Sequence, residues 1–194
     1  MDLVSGYRRS LAEFTARVDQ VRPDQWSAPT PCTRWDVRAL VNHLVNEDRW
    51  TVPLLAGATI AEVGDRFDGD LLGDDPAGTA AAAAREAEQA VTASGALDRT
   101  VHLSFGDTPA TEYIHQLFAD HLVHAWDLAV AIGVDPQLDR DALGLCAEWF
   151  AGRDDAYRAG GVIGPRVPVP ETAGDQDRLI AAFGRDPGWT PPPS

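Results

Sequence analysis

The sequence contains no lysine, so its 16 basic residues are all arginine, and they face 30 aspartate and glutamate residues. The formal net charge is −14 at neutral pH. Nucleic acids and anionic membrane surfaces attract proteins through cationic faces, so this charge balance argues against both as partners. A small molecule or a metal ion is the better candidate ligand.

Cysteine is also scarce, and long hydrophobic runs are missing. Two cysteines, Cys32 and Cys146, are too few for a disulfide framework. No run approaches the roughly 20 apolar residues that a bilayer-spanning helix needs. The first residues lack the charged and apolar regions of a secretory signal. We therefore expect a cytoplasmic protein that is not integrated into a membrane.

The remaining composition is that of an ordinary globular chain, with 44% hydrophobic and 24% charged residues. A length of 194 residues suits one sizeable core. We expect residues 1–160 to form a metal-binding helical bundle. Residues 161–194 are expected to form a C-terminal extension packed on that bundle, with a loose proline-rich tail.

Apolar residues spaced three and four apart predict several helices. Thr33 and Asp36 resemble a capping arrangement at the start of the second helix. Thr108 and Pro109 resemble a helix start, and Gly133 a helix end. We predict helices at residues 3–21, 36–55, 79–94, 108–132, 139–157 and 177–183, which together indicate an all-α fold built around a bundle.

Two other stretches are less regular. Residues 57–78 hold five glycines and many aspartates, which predicts a long acidic loop with room for one short helix. This loop is either a solvated segment or a lid over a site. Residues 100–105 alternate apolar and polar side chains, which is typical of an extended segment or one short strand.

Asp120 and His124 are the first candidate site residues. Residues four apart on a helix are neighbours, so this pair can supply two ligands to one metal ion. His43, on the second predicted helix, is the candidate third ligand. Asp127 can accept a hydrogen bond from the imidazole of His124. Helical spacing does not choose between His124 and His121. His121 lies nearer the middle of the apolar face, and a histidine in such a position usually only forms hydrogen bonds within the core.

Three further residues have more than one interpretation. Glu47 lies one turn after His43 and fits a fourth ligand, a general base or an exposed carboxylate. Cys32 lies just before the second helix, where a helix N-terminus lowers the pKa of a thiol, but a small buried residue is the favoured interpretation. We expect Cys146 to fill space in the core.

Three segments together resemble a known family. They are residues 30–44 (TPCTRWDVRALVNHL), residues 120–129 (DHLVHAWDLA) and residues 184–187 (GRDP). Their order and spacing resemble the actinobacterial metal-binding proteins related to mycothiol-dependent maleylpyruvate isomerase, which belong to the wider DinB-like group.

This resemblance implies a DinB-like four-helix bundle, here with additional short C-terminal helices and the long acidic loop. It also implies a divalent metal, usually zinc or nickel, held by His43, Asp120 and His124. Many relatives have glutamate where this chain has Asp120. The cosubstrate implied by the resemblance is mycothiol.

We therefore expect a metal-dependent enzyme that brings a low-molecular-weight thiol to a small-molecule electrophile, in a transfer or an isomerisation, with Glu47 as the candidate general base. The alternatives are a non-catalytic metal-binding sensor or partner-binding bundle, and histidines that only pack. Trp149 and Phe150 suit either the core or a homodimer contact.

Overall fold

The computed structural model describes residues 1–192, and these form a helical bundle with one small hairpin. The four long helices are Leu3–Val18 (α1), Val37–Leu55 (α2), Pro76–Thr92 (α4) and Ala110–Ile132 (α5). The shorter elements are Ile60–Val63 (α3), Arg140–Phe150 (α6), Asp154–Ala159 (α7), Asp175–Ala182 (α8) and the strands Thr100–Leu103 (β1) and Gly106–Pro109 (β2). The predicted all-α, DinB-like bundle with extra short helices is confirmed.

Helix α5 forms the centre of the bundle. It packs against α1 along most of its length, while α2 packs against α4 and also contacts α5. Most of its side chains are buried, including residues on every face. A helix that is apolar all round belongs in the interior, which is why α5 can carry polar site residues into the core. It ends at Gly133, whose φ of 73° is the left-handed conformation that favours glycine.

Several predicted helix ends need correction. Asp36, not Thr33, caps α2, because its side chain accepts a hydrogen bond from the backbone N–H of Ala39. The helix predicted at 139–157 is divided into α6 and α7, and Gly152 lies between them with a φ of 76°. Asp139 does cap α6, accepting from the backbone N–H groups of Asp141 and Ala142.

The predicted short strand has a partner that sequence patterning missed. β1 pairs with β2 in an antiparallel hairpin, with Val101 opposite Thr108. Thr108 and Pro109 therefore belong to a strand, and α5 begins one residue later at Ala110. The segment Gly106–Pro109 has no alternation of apolar residues, so period-two patterning could not reveal it.

The residues after α7 return to the bundle. The rings of Phe150 and Phe183 stack with centroids 4.1 Å apart, and Val167 donates a backbone hydrogen bond to the carbonyl of Ala181. Our division of the chain after residue 160 stays a prediction, and Pro193 and Ser194 of the predicted tail lie outside the described residues. Trp149 and Phe150 are buried within this chain, so a homodimer contact through them also stays a prediction. Among the helices described, none is long and apolar enough to cross a membrane.

Candidate metal centre

Helices α2 and α5 bring the three predicted ligands together. His43 Nε2 lies 2.9 Å from Asp120 Oδ2, and His124 Nε2 lies 3.2 Å from Asp120 Oδ1. The candidate ligand atoms of the three residues are all within 4.8 Å of one another. Two imidazole nitrogens and one carboxylate oxygen at this separation form a donor set that suits zinc. We call these three residues the His–Asp–His cluster.

The electrostatics of the cluster favour positive charge at its centre. Burial by itself raises the pKa of Asp120, but the adjacent His124 and His43 outweigh it and hold this pKa well below its ordinary value. Burial likewise opposes the charged form of His124, yet Asp120 and Asp127 raise the pKa of its imidazole well above the usual range. Both shifts arise because carboxylates and imidazoles are crowded together, which is the arrangement a cation would stabilise.

A second layer of side chains orients His124. Its Nδ1 lies 2.9 Å from Oδ2 of Asp127, so the Nδ1–H donates to this carboxylate and Nε2 is directed towards Asp120. Asp127 is completely buried, and Arg185 Nη2 donates to the same oxygen at 3.1 Å. Metal-binding histidines usually have such an acceptor on the nitrogen that does not ligate. The predicted role of Asp127 thus has the required geometry.

Cys32 occupies an unexpected place in this layer. Its Sγ lies 3.3 Å from Asp127 Oδ2 and 3.1 Å from Arg185 Nη2, and it is half-buried. Cys32, His124 and Asp127 make a second group of metal-ligand types. The guanidinium of Arg185 already supplies the positive charge there, so the His–Asp–His cluster is the better cation site. In the sequence, Cys32 was marked by its position just before the second helix as well as by the segments that carry the family resemblance, whereas Arg185 was marked by those segments alone.

One side of the cluster is covered and the other is open. The indole of Trp35 lies over His43 with ring centroids 4.6 Å apart, and it is 5.6 Å from the ring of His124. The side chains of His43 and Asp120 remain 26% and 34% exposed. His43 also lines a pocket of about 330 Å³, together with Trp35 and residues of the acidic loop. A larger depression of about 1200 Å³, between α6 and α8, is lined by none of the cluster residues.

Glu47 lies one turn beyond His43 on α2 and is half-buried. Burial raises the pKa of its carboxyl, and the negative charge of Asp120 raises it further.

His121 is separate from the cluster. It is fully buried, its Nδ1 lies 2.8 Å from the carbonyl oxygen of Leu117, and its Nε2 lies 3.2 Å from Asp48 Oδ1. Its ring also meets the edges of Tyr7 and Phe14. Between the two histidines that helical spacing left open, only His124 has the geometry of a ligand.

The sequence model of the mycothiol maleylpyruvate isomerase N-terminal domain matches residues 7–129. The chain belongs to this family. The match to the mycothiol maleylpyruvate isomerase N-terminal domain includes His43, Asp120, His124 and Asp127, whereas Arg185 lies beyond it.

Two full-length relatives are also similar to this chain. They are uncharacterized proteins from two strains of Mycobacterium tuberculosis, each 32% identical over 200 aligned residues. The alignments cover 95% of this chain and 98% of each relative, so they extend well past the mycothiol maleylpyruvate isomerase N-terminal domain. No solved structure matches the chain.

Proposed function

We propose that the His–Asp–His cluster binds a divalent metal, zinc or alternatively nickel, and that the protein is a metal-dependent enzyme of thiol chemistry. The observation that carries this proposal is the approach of His43, Asp120 and His124 to within 4.8 Å at their ligand atoms. Three protein ligands leave a zinc ion a further position for a substrate or water, as in catalytic rather than structural sites.

The family name indicates which thiol the protein would use. We propose a low-molecular-weight thiol of the mycothiol type as cosubstrate, together with a small-molecule electrophile. Bound zinc would supply a Lewis acid that favours the thiolate form of the thiol near neutral pH. The reaction would be a transfer of the thiol to the electrophile or a thiol-assisted isomerisation.

The chain's own residues have separate roles in this proposal. Asp127 accepts the Nδ1–H of His124 and fixes the direction of Nε2, while Arg185 balances the buried charge of Asp127. Trp35 covers the imidazoles on one side and limits the access of water. Glu47, one turn from His43, is the residue proposed to accept a proton as general base.

A cytoplasmic location fits the same proposal. Cys32 and Cys146 are both free thiols in the described structure, which is typical of a reducing compartment.

Metal analysis of protein purified without a histidine tag is the first experiment. We expect about one zinc per chain in the wild type and its loss in His43→Ala and His124→Ala, while His115→Ala retains it. His115 is a suitable control because its Nδ1 contacts the carbonyl of Thr111, away from the cluster. A wild-type protein without stoichiometric metal would mean that the histidines only pack.

Thiol-dependent conversion of an electrophile is the second experiment. The metal-loaded protein is incubated with mycothiol and a panel of electrophiles, and both free thiol and electrophile are followed over time, because a transfer consumes the thiol whereas an isomerisation regenerates it. We expect thiol-dependent conversion of an electrophile by the wild type and a large decrease in Glu47→Gln at unchanged metal content. Metal without thiol consumption and without thiol-dependent conversion of any electrophile would favour the alternative, a non-catalytic sensor or partner-binding bundle.

A further inference from the structure

The acidic loop is attached to α2 by three regularly spaced side chains. Arg38 Nη2 lies 2.6 Å from Asp70 Oδ2, Asn42 Nδ2 donates to the carbonyl of Gly69 at 3.0 Å, and Asn46 Nδ2 donates to the carbonyl of Phe67 at 2.6 Å. Asn42 also accepts from the backbone N–H of Leu71 at 2.7 Å. Because Arg38, Asn42 and Asn46 are four residues apart, they form one edge of the helix. They hold residues 67–71 against α2.

This attachment makes residues 67–69 one wall of the pocket beside the His–Asp–His cluster. The opposite wall belongs to α2 and to the residue preceding its cap, Trp35. His43 is shared by the pocket and the cluster, so a ligand in the pocket lies next to the proposed metal ligands. The complete lining is Trp35, Ala39, Asn42, His43, Asn46, Phe67, Asp68 and Gly69.

The described lining of this pocket contains one acidic side chain and no arginine. Asp68 is its only carboxylate, and none of these eight described residues is an arginine. Arg38, on the same edge of α2, is paired with Asp70. Arg66 lies over the ring of Phe67 at 5.8 Å and is not part of the lining. A carboxylate ligand would therefore meet Asp68 without an arginine in the lining to compensate it, whereas a positively charged ligand would be attracted to Asp68. The proposed metal would add positive charge beside His43, which Asp120 partly offsets, so the preference set by Asp68 is tested in chelator-treated protein.

The walls indicate a second property of the ligand. Trp35 and Phe67 present aromatic surface, and the amides of Asn42 and Asn46 are largely engaged by the loop backbone. A flat ligand with few hydrogen-bonding groups suits such walls, and aromatic rings favour organic cations over anions.

We propose that this pocket binds the electrophilic substrate and selects a flat organic cation over a carboxylate, with Asp68 as the selecting residue and Asn42 and Asn46 as positioning residues. The inference rests on the proposed function, because the His–Asp–His cluster supplies the reaction next to the pocket. It disfavours a carboxylate substrate such as maleylpyruvate for this chain.

Equilibrium binding of two matched probes tests the selection. Benzyltrimethylammonium and benzoate are titrated into the full chain, and broadening of the probe's NMR signals reports binding. The titration is done after chelator treatment and again with zinc, because benzoate can also ligate zinc. In chelator-treated protein we expect the cation to bind about fivefold more tightly than benzoate, the size of one partly exposed charge interaction.

Three variants separate charge selection from a general loss of the pocket. Asp68→Asn should bring the two affinities together, whereas Asp74→Asn, which removes the same charge from the same loop outside the pocket lining, should leave the preference intact. Asn46→Ala should weaken the binding of both probes and also lower the preference for the cation, because the wall that detaches carries Asp68. Thermal unfolding confirms that each variant is folded.

The inference is overturned if neither probe binds the wild type, if benzoate binds chelator-treated protein as tightly as the cation, or if Asp68→Asn and Asp74→Asn change the preference equally. Failure of the proposed function would look different. In that case the protein would contain no stoichiometric zinc, while the preference for the cation would persist.

Discussion

Asp127 accepts the Nδ1–H of His124 at 2.9 Å while Arg185 donates to the same carboxylate oxygen at 3.1 Å. The carboxylate is fully buried, so its charge depends on these two partners and on the thiol of Cys32, 3.3 Å from the same oxygen. A residue of α5 thereby connects a proposed metal ligand to an arginine that follows α8. Asp127 therefore fixes the orientation of the His124 ring through Nδ1, the ring nitrogen that does not face Asp120.

Replacing Asp127 by asparagine should weaken metal binding without removing a ligand. The amide keeps the size of the side chain but loses the charge that orients and polarises His124. We expect the zinc affinity to fall by about 10- to 100-fold, as for other residues that support a metal-bound histidine. Competition with a chromophoric zinc chelator measures the change. Asp135→Asn, at an exposed position after α5, is the control, and an equal loss there would contradict a specific role for Asp127.

His121→Leu should separate stability from metal content. This substitution leaves Asp48 as a buried carboxylate without its imidazole partner, which costs about 3 kcal/mol of the free energy of unfolding. Chemical denaturation measures that loss. Because His121 faces Asp48 and not the cluster, the zinc content of the folded variant should equal that of the wild type. Loss of zinc from a folded His121→Leu protein would show that the wrong histidine has been assigned.

Sequence patterns can relate residues of the His–Asp–His cluster to one another, but they reveal few of the residues that surround the cluster. Helical spacing relates residues within one turn or two, so the pairing of Asp120 with His124 and the burial of His121 could be expected from α5 alone. The contact of Arg185 with Cys32 joins residues 153 positions apart, and no periodicity describes such a contact. Asp48 was equally hidden, because its partner His121 lies on another helix.

The same distinction applies to the fold. Gly133 and Asp139 were recognisable because helix ends have local chemical requirements. The partner strand Gly106–Pro109 and the attachment of the acidic loop to Asn42 and Asn46 depend on neighbours in space. Residues 68–70 of that loop are exposed, as expected of a solvated segment, while residues 67–71 are also hydrogen-bonded to α2.

Asp139→Ala should destabilise the protein in a pH-dependent way. Burial opposes ionisation of this carboxyl, but the N–H of Ala142 and the guanidinium of Arg9 outweigh it and lower its pKa in the folded state. A lowered folded-state pKa means that the stabilisation is present at neutral pH and is lost as the pH falls through that pKa. Loss of the cap should cost about 1 kcal/mol at pH 7.

Urea denaturation at neutral and acidic pH measures this effect. The difference in the free energy of unfolding between the wild type and Asp139→Ala should narrow steadily as the pH falls below the ordinary pKa of aspartate. Asp24→Ala, at an exposed position before α2, serves as the control and should show a smaller cost at pH 7. A difference that widens towards low pH would be incompatible with the lowered pKa.

Two glycine-to-alanine substitutions should act in opposite directions. Gly133 has a φ of 73°, so Gly133→Ala should destabilise the end of α5 by about 1 kcal/mol. Gly144 lies within α6, and an added Cβ there meets nothing within 4 Å, so Gly144→Ala should stabilise by roughly 0.5–1 kcal/mol. Thermal unfolding of the two variants, each the control of the other, decides whether backbone conformation governs both sites.

The bond between Arg185 and Asp127 joins two residues that lie far apart in the chain. The ribosome makes Arg185 58 residues after Asp127, so the nascent bundle can contain every member of the His–Asp–His cluster while the carboxylate behind His124 still lacks its arginine. Until Arg185 is in place, Asp127 is a buried charge with an incomplete set of partners, which destabilises the part of α5 around it. A chain cut before residue 185 should therefore bind the proposed metal ion more weakly than a chain that contains Arg185.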